Sequence, residues 1–135
     1  MNTDYEALLE SFLEALEKRA GSPLPRLGRD GAVSLSFGDS LEFVLEHEDG
    51  SPWIHLHADL GTLPDGTSGN AVLRTALEKN FPSGPLHGAS LSLEPGTDTL
   101  FIAVSILVEG LTDETFCNAV TNFAVIAEES RRDLL

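Results

Sequence analysis

The stretch Ala32-Val-Ser-Leu-Ser-Phe-Gly-Asp-Ser-Leu-Glu-Phe-Val-Leu-Glu-His-Glu-Asp-Gly-Ser-Pro-Trp-Ile-His-Leu-His-Ala-Asp-Leu60 decides the fold. Its apolar residues recur every second position. Val33, Leu35 and Phe37 alternate with serines, then Leu41, Phe43 and Leu45 alternate with Glu42, Val44 and Glu46. Ile54, Leu56, Ala58 and Leu60 form a third row, opposed by Trp53, His55, His57 and Asp59. Successive side chains of a strand point to opposite faces, so each run predicts a strand with one buried face. Gly38-Asp39 and Asp49-Gly50 supply the tight turns between them. Three antiparallel strands in chain order make a meander, and its apolar face requires cover.

Helices on either side are predicted to supply that cover. On the amino-terminal side, Tyr5, Leu8, Leu9, Phe12, Leu13 and Leu16 repeat at three- and four-residue spacing, with Glu6, Glu10, Glu14 and Glu17 on the other faces. Thr3-Asp4-Tyr5-Glu6 reads as a capping box, and Lys18, Arg19 and Gly21 suit the helix end. On the other side, Gly61 to Gly69 reads as a loop, and Val72, Leu73, Ala76 and Leu77 mark a helix over 70–80 that Phe81-Pro-Ser-Gly-Pro85 stops. Ala89, Leu91 and Leu93 predict a fourth strand, which turns at Pro95-Gly96 into a fifth from Thr99 to Leu107. That fifth strand is apolar on both faces, so central placement and cover on both sides are expected. Thr112, Asp113 and Glu114 open a last helix whose buried line is Phe116, Val120, Phe123 and Ala127. The order α-β-β-β-α-β-β-α defines an α+β fold: a twisted antiparallel five-stranded sheet with three helices, expected as a single domain over 1–135.

The chain carries 22 acidic and 8 basic residues, a formal net charge of −14 over 135 residues. Its 41% apolar content falls in regular periods, so the acidity belongs to a folded surface. Lys and Arg are absent from Asp30 to Leu73 and again from Asn80 to Ser130. Surfaces without cations do not release counterions from phosphate, which argues against nucleic acid and anionic membranes as partners. A single cysteine, Cys117, points away from a disulfide framework and toward a reducing compartment. The amino terminus lacks the basic and apolar regions of a secretory signal, and no apolar run approaches the ~20 residues that span a bilayer. A cytoplasmic protein without membrane insertion is expected.

Candidate chemistry is sparse. His55, His57 and Asp59 share one strand face and partly match the His-x-His-x-Asp-His run of metallo-β-lactamase-type hydrolases, with Leu60 where the last histidine would stand. A small metal-dependent hydrolase using these three residues is one alternative. An acidic inhibitor or immunity protein of a basic toxin is another. Cys117 reads as a structural thiol near a helix start, and the acid pairs Glu46/Glu48, Asp113/Glu114 and Glu128/Glu129 read as solvated faces. No catalytic residue, metal site or cofactor is assigned. What remains is apolar surface: Val44 and Trp53 sit on the polar side of the meander, and the first strand, if it lies at the sheet edge, offers backbone groups to an extended peptide.

The element order, together with Leu60-Gly-Thr-Leu-Pro64, Ala76-Leu-Glu-Lys-Asn80, the Gly88-x-x-Leu91-x-Leu93 strand, Asp98-Thr-Leu100 and Leu111-Thr112, resembles the class I type III secretion chaperones of the Tir-chaperone family. That resemblance implies a homodimeric bacterial cytosolic chaperone rather than an enzyme. Such a protein binds the amino-terminal segment of a secreted effector in a non-globular state and delivers it to the secretion apparatus. It also implies a dimer interface on the second helix and fourth strand, at Leu73, Leu77, Leu91 and Leu93. Effector contacts are implied on the first helix and sheet, at Phe12, Leu13, Val33, Leu35, Val44 and Trp53.

Overall fold

The computed structural model describes residues 4–38 and 41–135. In chain order it contains α1 (Tyr5–Ala20), β1 (Ala32–Phe37), β2 (Leu41–Glu46), β3 (Trp53–Thr62), α2 (Gly66–Lys79), β4 (Ser90–Leu93), β5 (Thr99–Leu107) and α3 (Asp113–Leu134). The strands form one antiparallel sheet in the order β1-β2-β3-β5-β4. The meander predicted from 32–60 is present, and β5 inserts beside β3, leaving β1 and the short β4 at the two edges.

Helix ends follow the expected chemistry. Thr3, half of the expected capping box, and Asp39, of the first turn, lie outside the described residues. Within them, the Asp4 carboxylate accepts the Ala7 N–H at 3.1 Å and starts α1. Gly21 closes it in the left-handed region at φ 74°, donating its N–H to the Glu17 carbonyl. Thr112 caps α3, exchanging hydrogen bonds with Thr115.

The core lies on one face of the sheet. Val33 and Leu35 of β1, Leu41, Phe43 and Leu45 of β2, the row Ile54, Leu56, Ala58 and Leu60 of β3, and Leu100 and Ile102 of β5 are all buried there. α3 crosses this face over β2 and β3, α1 packs beside α3, and α2 touches β4 and α3. Phe12 of α1 stacks on Phe116 of α3 at 5.0 Å between ring centroids, and Phe43 tilts against Phe123 at 5.7 Å. Each such side chain contributes about 1.5–3 kcal/mol on burial. The predicted line Phe116, Val120, Phe123 and Ala127 is fully enclosed.

Two expectations are corrected. The segment read as a loop to Gly69 is already helix from Gly66, and Gly69 sits buried in it. A β-carbon there would lie 2.1 Å from the Pro64 carbonyl oxygen, so this glycine permits close approach of backbone to helix. The fifth strand is interior, paired on both edges, yet it is covered on one face only. All three helices join the core on the opposite side, leaving Phe101 and Ala103 half-buried and Leu107 exposed.

Candidate functional site

β1 has a partner strand on one side only. At its start the outward backbone groups are taken: the Ala32 N–H donates to the Asp30 carboxylate at 3.2 Å, and its carbonyl accepts from Gly28 N–H at 2.9 Å. Alternation along the strand then directs the N–H and C=O of Ser34 and Ser36 outward as well. Beneath this edge, between the end of α1 and α3, runs a groove of about 360 Å³. Leu16, Leu24, Leu35, Phe37, Phe43 and Val120 supply its apolar lining, and Arg19 also lines it. An open edge above an apolar groove has both parts of strand addition: main-chain bonding, and a receptacle for alternate side chains.

The opposite sheet edge is engaged at Leu91. Asn80, at the end of α2, donates from Nδ2 to the Leu91 carbonyl at 2.9 Å and accepts the Leu91 N–H on Oδ1 at 2.8 Å. One amide therefore takes the place of a strand residue beside β4 and blunts that edge.

The residues expected at partner surfaces divide by burial. Phe12, Leu13 and Val33, expected at the effector surface, are 2–4% exposed and lie in the core of the single chain. Leu35, equally buried, forms part of the groove floor. Val44 is half-buried and Trp53 is 41% exposed, both on the uncovered sheet face. Trp53 lies directly across from Leu107, and Val44 from His57, which pairs with Ala103; the hydrogen-bonded pair His55–Ser105 separates these two apolar areas on the uncovered face. Of the residues expected at a dimer interface, Leu91 is buried and Leu73 half-buried, whereas Leu77 is 71% exposed and Leu93 reaches the surface. Phe81, which the sequence places in a helix stop, is 75% exposed in the turn after α2. Its missed signal was a large aromatic placed in a turn, where ordinary loop composition is polar.

The candidate chemical groups are each engaged by a neighbour. His55 Nδ1 lies 2.7 Å from Ser105 Oγ, His57 Nε2 lies 2.9 Å from Glu46 Oε1, and Asp59 accepts the Gly61 N–H at 2.9 Å. Among the described residues, no group of three or more His, Cys, Asp or Glu side chains is placed to hold a metal ion. Cys117 is 2% exposed, and burial pushes its thiol above the ordinary range, with Asp113 adding to the effect and Arg19 opposing it. A buried thiol held protonated is a poor nucleophile. No described helix is long and apolar enough to cross a membrane.

Fold and surfaces together define a two-layer α+β protein with one open sheet edge and apolar area left unburied at three places. The chain belongs to the Tir chaperone protein (CesT) family, whose sequence model matches residues 8–131. Its fold is similar to that in the crystal structure of the ExsC–ExsE complex, at 23% identity over 98% of this chain and 97% of that one, with a TM-score of 0.76. It is also similar to the HopA1–SchA chaperone–effector complex, at 13% identity over 98% and 96% of the two chains, TM-score 0.73. A third match is the heterodimeric ExoU–SpcU complex from the type III secretion system of Pseudomonas aeruginosa, at 19% identity over 90% and 93%, TM-score 0.67. Among curated protein sequences no significant match exists.

Proposed function

We propose that this chain is a cytoplasmic, dimeric chaperone for one or more type III secreted effectors. It holds an amino-terminal effector segment extended and soluble and presents it to the secretion apparatus. The observation that carries the reading is the open β1 edge above an apolar groove, in a member of the Tir chaperone family. A chain kept non-globular needs partners for its backbone as well as its side chains, and this edge offers both. The uncovered patch around Val44 and Trp53 provides further area for the same segment. Leu77, Leu93 and Phe81 form the surface on which two copies meet. The reading assigns no catalytic step, and the abundant carboxylates keep the apolar surfaces soluble before a client arrives.

Co-expression with the amino-terminal segments of secreted proteins encoded nearby tests the function. A stable complex that protects the effector segment from proteolysis is expected, with a blue shift in the emission of Trp53, the only tryptophan. A chain that purifies as a monomer and retains none of these segments would sink the proposal. Leu77→Asp separates assembly from folding: the exposed position predicts an unchanged circular dichroism spectrum with a halved mass by light scattering. An unaltered dimer mass would place the interface elsewhere.

A further inference from the structure

We infer that two copies of this chain lock together by exchanging Phe81, the phenyl ring of each entering an apolar cavity between β5, α3 and the 86–89 turn of the other. The exchange rests on the dimer proposed above and gives it an anchor and a receptacle. The receptacle follows from the shortness of β4. That strand pairs β5 only from Leu100 to Ala103, so no described strand flanks β5 beyond Ala103 on that side. Val104 and Ile106, on the core-facing row with Leu100 and Ile102, stay half-buried there. With Leu86, Ala89, Phe123 and Ile126 they line a cavity of about 270 Å³. An apolar cavity of ~150 Å³ holds a benzene molecule, so this one has room for a phenyl ring.

Phe81 is held in place by its backbone. Its N–H donates to the Glu78 carbonyl at 3.1 Å and its carbonyl accepts the Gly84 N–H at 3.0 Å, while Asn80 before it is fixed to Leu91. A β-carbon at Gly84 would lie 2.8 Å from the Phe81 carbonyl oxygen, so glycine lets this turn close. The ring is 75% exposed on a backbone already ordered, which lowers the cost of docking it. Leu86, His87 and Ala89 line both the receptacle and a neighbouring cavity that Phe81 itself lines. Anchor and receptacle therefore share one face of the chain, as a two-fold contact between identical copies requires.

Charge selects the occupant. Residues 80–93, 99–108 and 115–127 are the three longest stretches without Asp, Glu, Lys or Arg, and every residue lining the cavity comes from them. Two copies that each carry a charge of −14 meet at least cost where neither presents a carboxylate. A basic partner finds no carboxylate on this lining.

Phe81→Ala and Asn122→Glu test the exchange. Asn122 lines the cavity and, like Phe81, is exposed, so both variants are expected to keep the wild-type circular dichroism spectrum. Each is expected to weaken the dimer on the order of 100-fold in sedimentation equilibrium, because both anchors of the pair are lost. Mixed together, the two variants restore one intact contact, Phe81 of the Asn122→Glu chain in the open cavity of the Phe81→Ala chain. The mixed dimer is therefore about tenfold tighter than either parent, whereas substitutions at sites that do not touch would place it midway between them. A mixed dimer no tighter than the better parent overturns the exchange, as does a dimer indifferent to both substitutions. If Asn122→Glu spares the dimer but weakens binding of a fluorescein-labelled serine-leucine peptide, the cavity serves the client and the exchange falls. A monomeric wild-type chain removes the dimer itself, and the exchange with it.

Discussion

At the scale of single residues, Cys117 and Gly69 illustrate how an environment changes what a side chain does. Cys117 is enclosed by α1 and α3, and burial raises its thiol pKa, so the folded state favours the protonated form. In the unfolded chain the thiol ionises near its usual ~8.5. Stability from this group is therefore complete below that pH and declines as pH rises through the raised folded value. Native protein at pH 8 is expected to react with a thiol reagent at least 100-fold more slowly than protein in urea. Equal rates would place the thiol at the surface. Gly69 offers a second check. Helix propensity alone predicts that Gly69→Ala stabilises by ~1 kcal/mol. The Pro64 carbonyl lies where the new methyl would go, and a loss of about 1–3 kcal/mol in urea denaturation is expected instead. A gain in stability would contradict this packing. The sequence placed Gly69 in a loop because a glycine tolerated for close approach looks the same as one needed for a turn.

Among the elements, the two sheet edges differ although neither strand has a second strand neighbour. β4 is blunted by Asn80, whose amide meets both backbone groups of Leu91. Asn80→Ala is expected to cost roughly 1–3 kcal/mol, because it leaves two half-buried backbone groups unbonded. The Leu91 amide should also exchange faster with solvent. Exchange at Leu91 unchanged from wild type would show that the clamp is not formed in solution. β1 keeps its outward groups at Ser34 and Ser36, the backbone on which the proposed strand addition rests. Period-two alternation revealed β1, β2 and β3 up to Leu60, although β3 runs on through Gly61 and Thr62, which were expected in the loop, and the double apolar run of β5 was read with its bounds intact. Its cover was not. A run that is apolar on both faces states that both faces avoid water, and does not state whether the protein's own helices or another chain excludes it.

For the whole molecule, a net charge of −14 sets the background against which every contact forms. The strand residues of the uncovered sheet face include no Lys or Arg, so the apolar patch around Trp53 is framed by carboxylates, serines and histidines. Self-repulsion of this size destabilises the compact state at low ionic strength. The screening length contracts from ~30 Å at 0.01 M salt to ~8 Å at 0.15 M. Raising NaCl from 10 to 300 mM is expected to increase the midpoint of thermal unfolding by about 4 °C, the effect of ~1 kcal/mol in a domain near this size. A midpoint that falls with salt would indicate that attractive ion pairs dominate. The few pairs between elements, such as Lys79 with Asp133 and His57 with Glu46, lie largely at the surface, where each contributes little.

The sequence by itself determined the elements, their order and, except for β5, the face each strand buries, because helix and strand periods are local and leave a direct imprint on the spacing of apolar residues. It also carried the loose motifs of the family. Only the tertiary structure decided that β5 inserts beside β3, that β1 lies at one edge, and that Asn80 bonds Leu91 at the other. It alone separated Phe12, Leu13 and Val33, enclosed by α1, α3 and the sheet, from Val44, Trp53 and Leu77, which reach the surface. The physical reason is range. Whether a leucine meets water depends on partners dozens of residues away, and no period within a single element records where those partners come to rest.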